Sequence, residues 1–147
     1  MSQKSPSEPS SHAATTSMLR SVGLRPTQQR LALASLLFKG NGRHVTAESL
    51  YEEASANGIK VSLATVYNTL NQFKDAGLLR ELVIDSGKSY FDTNPEPHHH
   101  AYDELTGEIS DLELDVDEQQ LCGAMELPPG KDISGVDIVV RLRDHGQ

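Results

Sequence analysis
The chain has 147 residues, a net charge of −8 and one cysteine, Cys122, so internal disulfides and cysteine-built zinc sites within one chain are excluded and a reducing, cytoplasmic setting is expected. No run of about 18 apolar residues exists to span a membrane, and no basic segment leads into an apolar run as in a secretory leader. The acidity is uneven: residues 1–95 carry ten Lys/Arg against eight Asp/Glu and residues 96–147 three against thirteen, so the first part is free to approach phosphates.

Residues 1–14, MSQKSPSEPSSHAA, are Ser/Pro-rich without periodicity and are expected to form a disordered tail that includes His12. A short helix is expected over residues 16–22, stopping at Gly23. RPTQQRLALASLLFKG then reads as a second helix with Thr27 as N-cap, Leu31, Ala34 and Leu37 inward and Gly40 as terminator. Arg30, near its start, suits a phosphate contact or plain solvation equally. A third helix is expected over residues 47–56, capped by Thr46, with Leu50, Tyr51 and Ala54 inward and His44 in the loop before it.

The stretch VSLATVYNTLNQF at residues 61–73 predicts the helix on which the rest of the chain is organised. Leu63, Val66, Leu70 and Phe73 form an apolar stripe, Ser62 stands at the N-cap and Gly77 at the C′ position. Ala64, Thr65, Asn68, Asn71 and Gln72 make the other face, with Tyr67 on its flank. A small, uncharged, hydrogen-bonding face suits a major groove, where amides and hydroxyls meet base edges and phosphates; an ordinary solvated face is the plain alternative. The residues beyond this helix favour the groove. Residues 80–84 and 89–92, around the turn Asp85-Ser86-Gly87-Lys88, read as a hairpin. Helices followed by a hairpin make a winged helix-turn-helix whose wing lies along DNA, with Lys88 at the tip.

The breaker-rich TNPEP marks a linker at residues 94–97, separating a winged-helix domain (15–93) from a small α/β domain (98–147) in an α+β chain. In the second domain, residues 98–102 and 108–114 read as strands turning at Thr106-Gly107, Asp115-x-x-Glu118 as a capping box, and residues 138–142 as a last strand. Val116, Leu121, Ala124 and Met125 are the expected apolar face of the helix between them. About fifty residues hold little core alone, so pairing with a second copy, as a homodimer, is expected.

His98, His99 and His100 are consecutive. On a strand His98 and His100 share one face about 7 Å apart, half of a first-row transition-metal site, with His99 opposite. His44, Asp92 and Asp111 are the candidates to complete it. Mixed imidazole and carboxylate donors suit Fe(II), Mn(II) or Zn(II), while a solvated polar run is the plain alternative. An ion held between a DNA reader and a dimer domain would act as a switch.

Over residues 17–143 the chain resembles the ferric uptake regulator superfamily, through GLRPTQQR, RHVTAESLYEEA, VSLATVYNTLNQF with AGLL, GKSYFD, HHH and TGEISD. The resemblance implies a homodimer with an N-terminal winged helix and a C-terminal α/β dimerisation domain that regulates metal-homeostasis genes from an AT-rich inverted repeat in double-stranded DNA. It implies a regulatory metal site at His44, Asp92, His98, His100 and Asp111, and a groove-entering tyrosine at Tyr67. Arg30, Ser62, Thr65, Asn68 and Lys88 join Tyr67 as candidate DNA contacts.

Two departures bear on that implication. Asp103 and Thr106 stand where the superfamily's first CxxC pair belongs, and RLRDHGQ lacks the terminal pair, so no four-cysteine structural zinc is expected. The family's second site would use His99, Glu118 and a histidine near Val136, which valine cannot replace. Loss of both cysteine pairs makes the chain most similar to the iron response regulator branch, which senses iron through haem. No Cys-Pro haem motif is present, and Cys122 precedes Gly123, so the histidine cluster is the expected haem ligand set. A divalent-metal-activated or peroxide-sensing repressor is the alternative within the class. A non-haem iron enzyme built on two histidines and a carboxylate is the alternative outside it, and it leaves the polar helix and wing unexplained.

Overall fold
In a computed structural model of the protein the structure describes residues 12–40, 42–85, 88–96 and 98–146. The expected hairpin tip at Ser86 and Gly87, Pro97 of the linker and residues 1–11 of the tail lie outside them. The chain divides into two compact units, Met1–Pro95 and Glu96–Gln147. None of the described helices is long and apolar enough to cross a membrane.

The first unit begins with α1, His12–Ser21. This helix starts four residues before the expected Thr16, so residues 12–14 leave the tail. Ala13 and Ala14 are strong helix formers, and the Thr16 hydroxyl donates to the His12 carbonyl at 2.8 Å. Next comes α2, Gln28–Leu37, where the Thr27 hydroxyl accepts from the Arg30 amide. Strand β1 is only His44–Val45. Helix α3, Ala47–Ala56, opens on a reciprocal capping box between Thr46 and Ser49. Helix α4, Leu63–Asp75, is capped by Ser62, which accepts from the Thr65 amide.

The α4 stripe differs from expectation at its first residue. Val66, Thr69, Leu70 and Phe73 are the buried set, whereas Leu63 is 37% exposed. Leu63 is the first residue of α4, and its side chain stays partly in solvent. The helix ends in a Schellman motif: Gly77, at φ 86°, donates to the Lys74 carbonyl and Leu78 to that of Phe73, both at 2.9 Å. Strands β2, Arg80–Asp85, and β3, Lys88–Asp92, are antiparallel, with a register shift between Val83 and Asp85. Strand order is β1-β3-β2. His44 therefore belongs to a strand of the wing sheet, paired with Asp92. A two-residue strand carries no alternation for sequence to reveal. Leu19, Leu33, Leu37, Leu50, Val66, Leu70, Phe73 and Phe91, from α1, α2, α3, α4 and β3, form one buried cluster.

The second unit is a three-stranded sheet of order β5-β4-β6. Strand β4, His99–Asp103, runs antiparallel to β5, Ile109–Leu112, and parallel to β6, Val139–Leu142. Asp103 Oδ1 accepts from the Leu105 and Thr106 amides at 2.9 and 3.1 Å, closing the β4–β5 turn at the place where the family's first cysteine pair would stand. Helix α5 spans Glu118–Gly123. Its N-cap is Asp117, which accepts from Gln120, in place of the expected Asp115. A cap is set by which carboxylate meets the third helical amide, and Asp117 is the one in reach. The expected apolar face of α5 buries no residue, and Val116 and Met125 are 37% and 46% exposed.

Candidate metal centre and nucleic-acid interface
Each unit holds side chains of the types that can ligate a metal. In the first, His44 and Asp92 face each other across the β1–β3 pair, with Nε2 3.0 Å from Oδ2. Their flanks are bolted together. The Arg43 amide donates to Thr93 Oγ1 at 2.7 Å, and the Thr93 amide donates to the Arg43 carbonyl at 2.9 Å. The Arg43 guanidinium donates to the Leu36 carbonyl at 2.7 Å and to both Glu53 oxygens at 3.3 and 2.7 Å. Asp92 Oδ1 also accepts from the Asn94 amide. This carboxylate is 1% exposed and thus oriented before any ligand arrives.

In the second unit the His98 and His100 rings lie 4.3 Å apart, tilted by 49°, and His100 is directly opposite Asp111 in the β4–β5 register. Asp111 Oδ1 is 2.9 Å from His98 Nε2 and 3.6 Å from His100 Nε2. His98 Nδ1 lies 2.6 Å from the Glu96 carbonyl, which only accepts, so Nδ1 carries a proton. In the neutral ring Nε2 then presents a lone pair to the Asp111 carboxylate. A cation or a second ring proton reconciles two acceptors that close, and a divalent ion is the former. A small ion fits this donor set.

His99 is tied differently. Its Nδ1 accepts from the Ile138 amide at 3.2 Å, which places the ring proton on Nε2, 3.6 Å from Glu118 Oε1. That tautomer directs N–H toward Glu118.

The DNA-facing candidates lie in the first unit. Ala64, Asn68 and Gln72 are exposed on α4, Thr65 and Asn71 half-buried, and Tyr67 is 37% exposed. Ser62 and Thr65 are engaged in the cap, with Ser62 Oγ also donating to Thr65 Oγ1 at 2.9 Å. Tyr67 donates its hydroxyl proton to Glu48 of α3 at 3.0 Å. That bond, with some burial and the Glu48 charge, raises the phenol above its ordinary range. Arg30 donates through Nε and Nη2 to Gln72 Oε1 at 3.2 and 3.0 Å, and through Nη1 to the Arg25 carbonyl at 2.9 Å. A groove of about 440 Å³ between α2 and α4 is lined by Arg25, Thr27, Gln29, Asn68 and Gln72 among others. Lys88 is exposed at the start of β3. Glu48, Arg25 and the Arg43–Thr93 clamp were not expected as site residues. Tyr67 and Glu48 are 19 positions apart, and no local pattern marks such a pair.

Residues 21–126 match the model of the ferric uptake regulator family. A ferric uptake regulation protein of Bordetella parapertussis is 39% identical over 83 residues, 56% of this chain and 60% of that protein. The peroxide-responsive repressor PerR of Staphylococcus aureus is 38% identical over 95 residues, 65% of this chain and 64% of the relative. The matched part is thus under two thirds of these relatives' length. Among solved structures, the ferric uptake regulator of Vibrio cholerae has a TM-score of 0.73 at 28% identity, over 88% of this chain and 98% of that one. That of Pseudomonas aeruginosa with manganese has 0.69 at 29%, over 89% and 98%. Members of the matched family are transcription regulators rather than enzymes, and this chain belongs to the ferric uptake regulator family.

Proposed function
We propose that the protein is a homodimeric, metal-responsive regulator that binds double-stranded DNA and controls metal-homeostasis genes. In this reading His44, Asp92, His98, His100 and Asp111 are the five ligands of one divalent ion, Fe(II), Mn(II) or Zn(II). The single supporting observation is the His98 ring, whose Nδ1 is committed to a carbonyl while Nε2 faces a carboxylate. The Pseudomonas aeruginosa relative was solved with manganese, one of the ions that imidazole and carboxylate donors suit. Ion binding would act as the switch that presents two α4 helices to successive half-sites. The exposed Leu105, Met125, Leu127 and Leu142 are the apolar surface a second copy would cover.

A second reading, an iron-responsive regulator with haem as effector, is favoured by Asp103 and Thr106 standing where a cysteine pair would hold zinc. The convergence of His98 and His100 on Asp111 speaks against it. The test is fluorescence anisotropy on an AT-rich inverted repeat with metal-free, Mn(II)-loaded and haem-loaded protein at one fixed salt. Binding that requires Mn(II) and ignores haem is the expected result. Release of DNA by haem, with metal-free protein bound, would overturn the divalent-ion reading in favour of the haem one. A peroxide-sensing role, as the Staphylococcus aureus relative is named for, predicts an Fe(II)-dependent gain of one oxygen on His44 or His100 by mass spectrometry.

A further inference from the structure
Gln72 is held by a residue that can only donate. The Arg30 guanidinium directs Nε–H and one Nη2–H to the same oxygen, Oε1, at 3.2 and 3.0 Å, so the amide orientation follows from chemistry: an NH2 group could not face those donors. Both lone pairs of Oε1 are thereby used. What Gln72 presents at the exposed face of α4 is its Nε2 group, two donors and no acceptor. Arg30 is fixed in turn by its third bond, to the Arg25 carbonyl, and the pair borders the groove that Asn68 and Gln29 also line.

We propose that Gln72 reads one base per half-site as a donor-only group and that Arg30 is the positioning residue enforcing this. The inference rests on the DNA-binding function proposed for the chain. A free glutamine pairs with adenine by accepting from N6 and donating to N7. With its oxygen occupied it cannot accept, so adenine and the N4 donor of cytosine are disfavoured. Guanine, which offers O6 and N7, is the base that fits best, followed by thymine through O4. The specificity of α4 is therefore written partly on α2.

The test is selection from a randomised duplex library by the full chain loaded with Mn(II), comparing wild type with Gln72→Glu, Gln72→Ala and Arg30→Met. Gln72→Glu keeps an oxygen on Arg30 but removes both donors. Wild type should prefer guanine over adenine at one position of each half-site by roughly tenfold. Gln72→Glu and Gln72→Ala should erase that preference, and Arg30→Met, which frees Oε1, should shift it toward adenine. Unchanged preference in Gln72→Glu would reduce the pair to a staple between helices and overturn the inference alone. An Arg30→Met variant that loses affinity evenly across sequences, with a shallower salt dependence, would make Arg30 a phosphate contact and overturn its positioning role. If wild type enriches no duplex, the DNA-binding function falls, and the inference with it.

Discussion

His44 and Asp92 stand opposite each other on β1 and β3, with Nε2 3.0 Å from Oδ2, and the Arg43–Thr93 exchange beside them holds both strands in that register. Because the carboxylate is buried and already oriented, its charge is available to an ion without reordering cost. Asp92→Asn keeps the acceptor for the Asn94 amide but removes the charge. Mn(II) affinity, by titration calorimetry, should fall at least about tenfold with the helical spectrum unchanged. Equal affinity would remove Asp92 from the ligand set.

The Tyr67–Glu48 bond makes a pH prediction. The phenol is raised above its ordinary value near 10 by the hydrogen bond to Glu48, with burial and the Glu48 charge adding to it. A group raised on folding stabilises the fold fully below the unfolded value, and that contribution disappears as pH climbs through the folded one. Absorbance titration of the tyrosinate should show one late component that moves down in Glu48→Gln. The same variant removes a negative charge beside the α4 face and should bind DNA more tightly at low salt.

Phe73 is fully buried in the cluster that joins α4 to the other helices, and its ring centroid lies 6.1 Å from that of Phe38. Phe73→Ala should cost about 3–5 kcal/mol of stability by urea denaturation. A loss under about 1 kcal/mol would mean that α4 is not the helix on which the first unit packs.

Asp103 closes the β4–β5 turn with two amide hydrogen bonds, where relatives of the superfamily pattern would carry a cysteine. Asp103→Ala should lower stability by about 1–2 kcal/mol and speed amide exchange at Leu105 and Thr106. Exchange that stays as slow as in wild type would show the turn to be held by its backbone bonds alone.

Local chemistry was enough for much of the first unit. Thr27, Thr46 and Ser62 cap helices where a hydroxyl precedes an apolar period, and Gly77 ends α4 because only glycine takes φ 86° without strain. Such signals act within one turn of chain, so they can be read from neighbours. The same reading fails where local cues compete: Asp117 rather than Asp115 caps α5, and Leu63 continues the apolar pattern of α4 without reaching its core. The candidate ligands were legible as residue types, since imidazoles and carboxylates carry their chemistry with them. Their states were not. That His98 donates through Nδ1 while His99 accepts there depends on the Glu96 carbonyl and the Ile138 amide. Arg30 meets Gln72 across 42 positions, and Tyr67 meets Glu48 across 19. Hydrogen bonds of that range form only after helices pack, so tertiary structure decides which way the Gln72 amide faces, as the β4–β6 pairing does for the His99 proton, whereas His98 is set by a carbonyl two residues away.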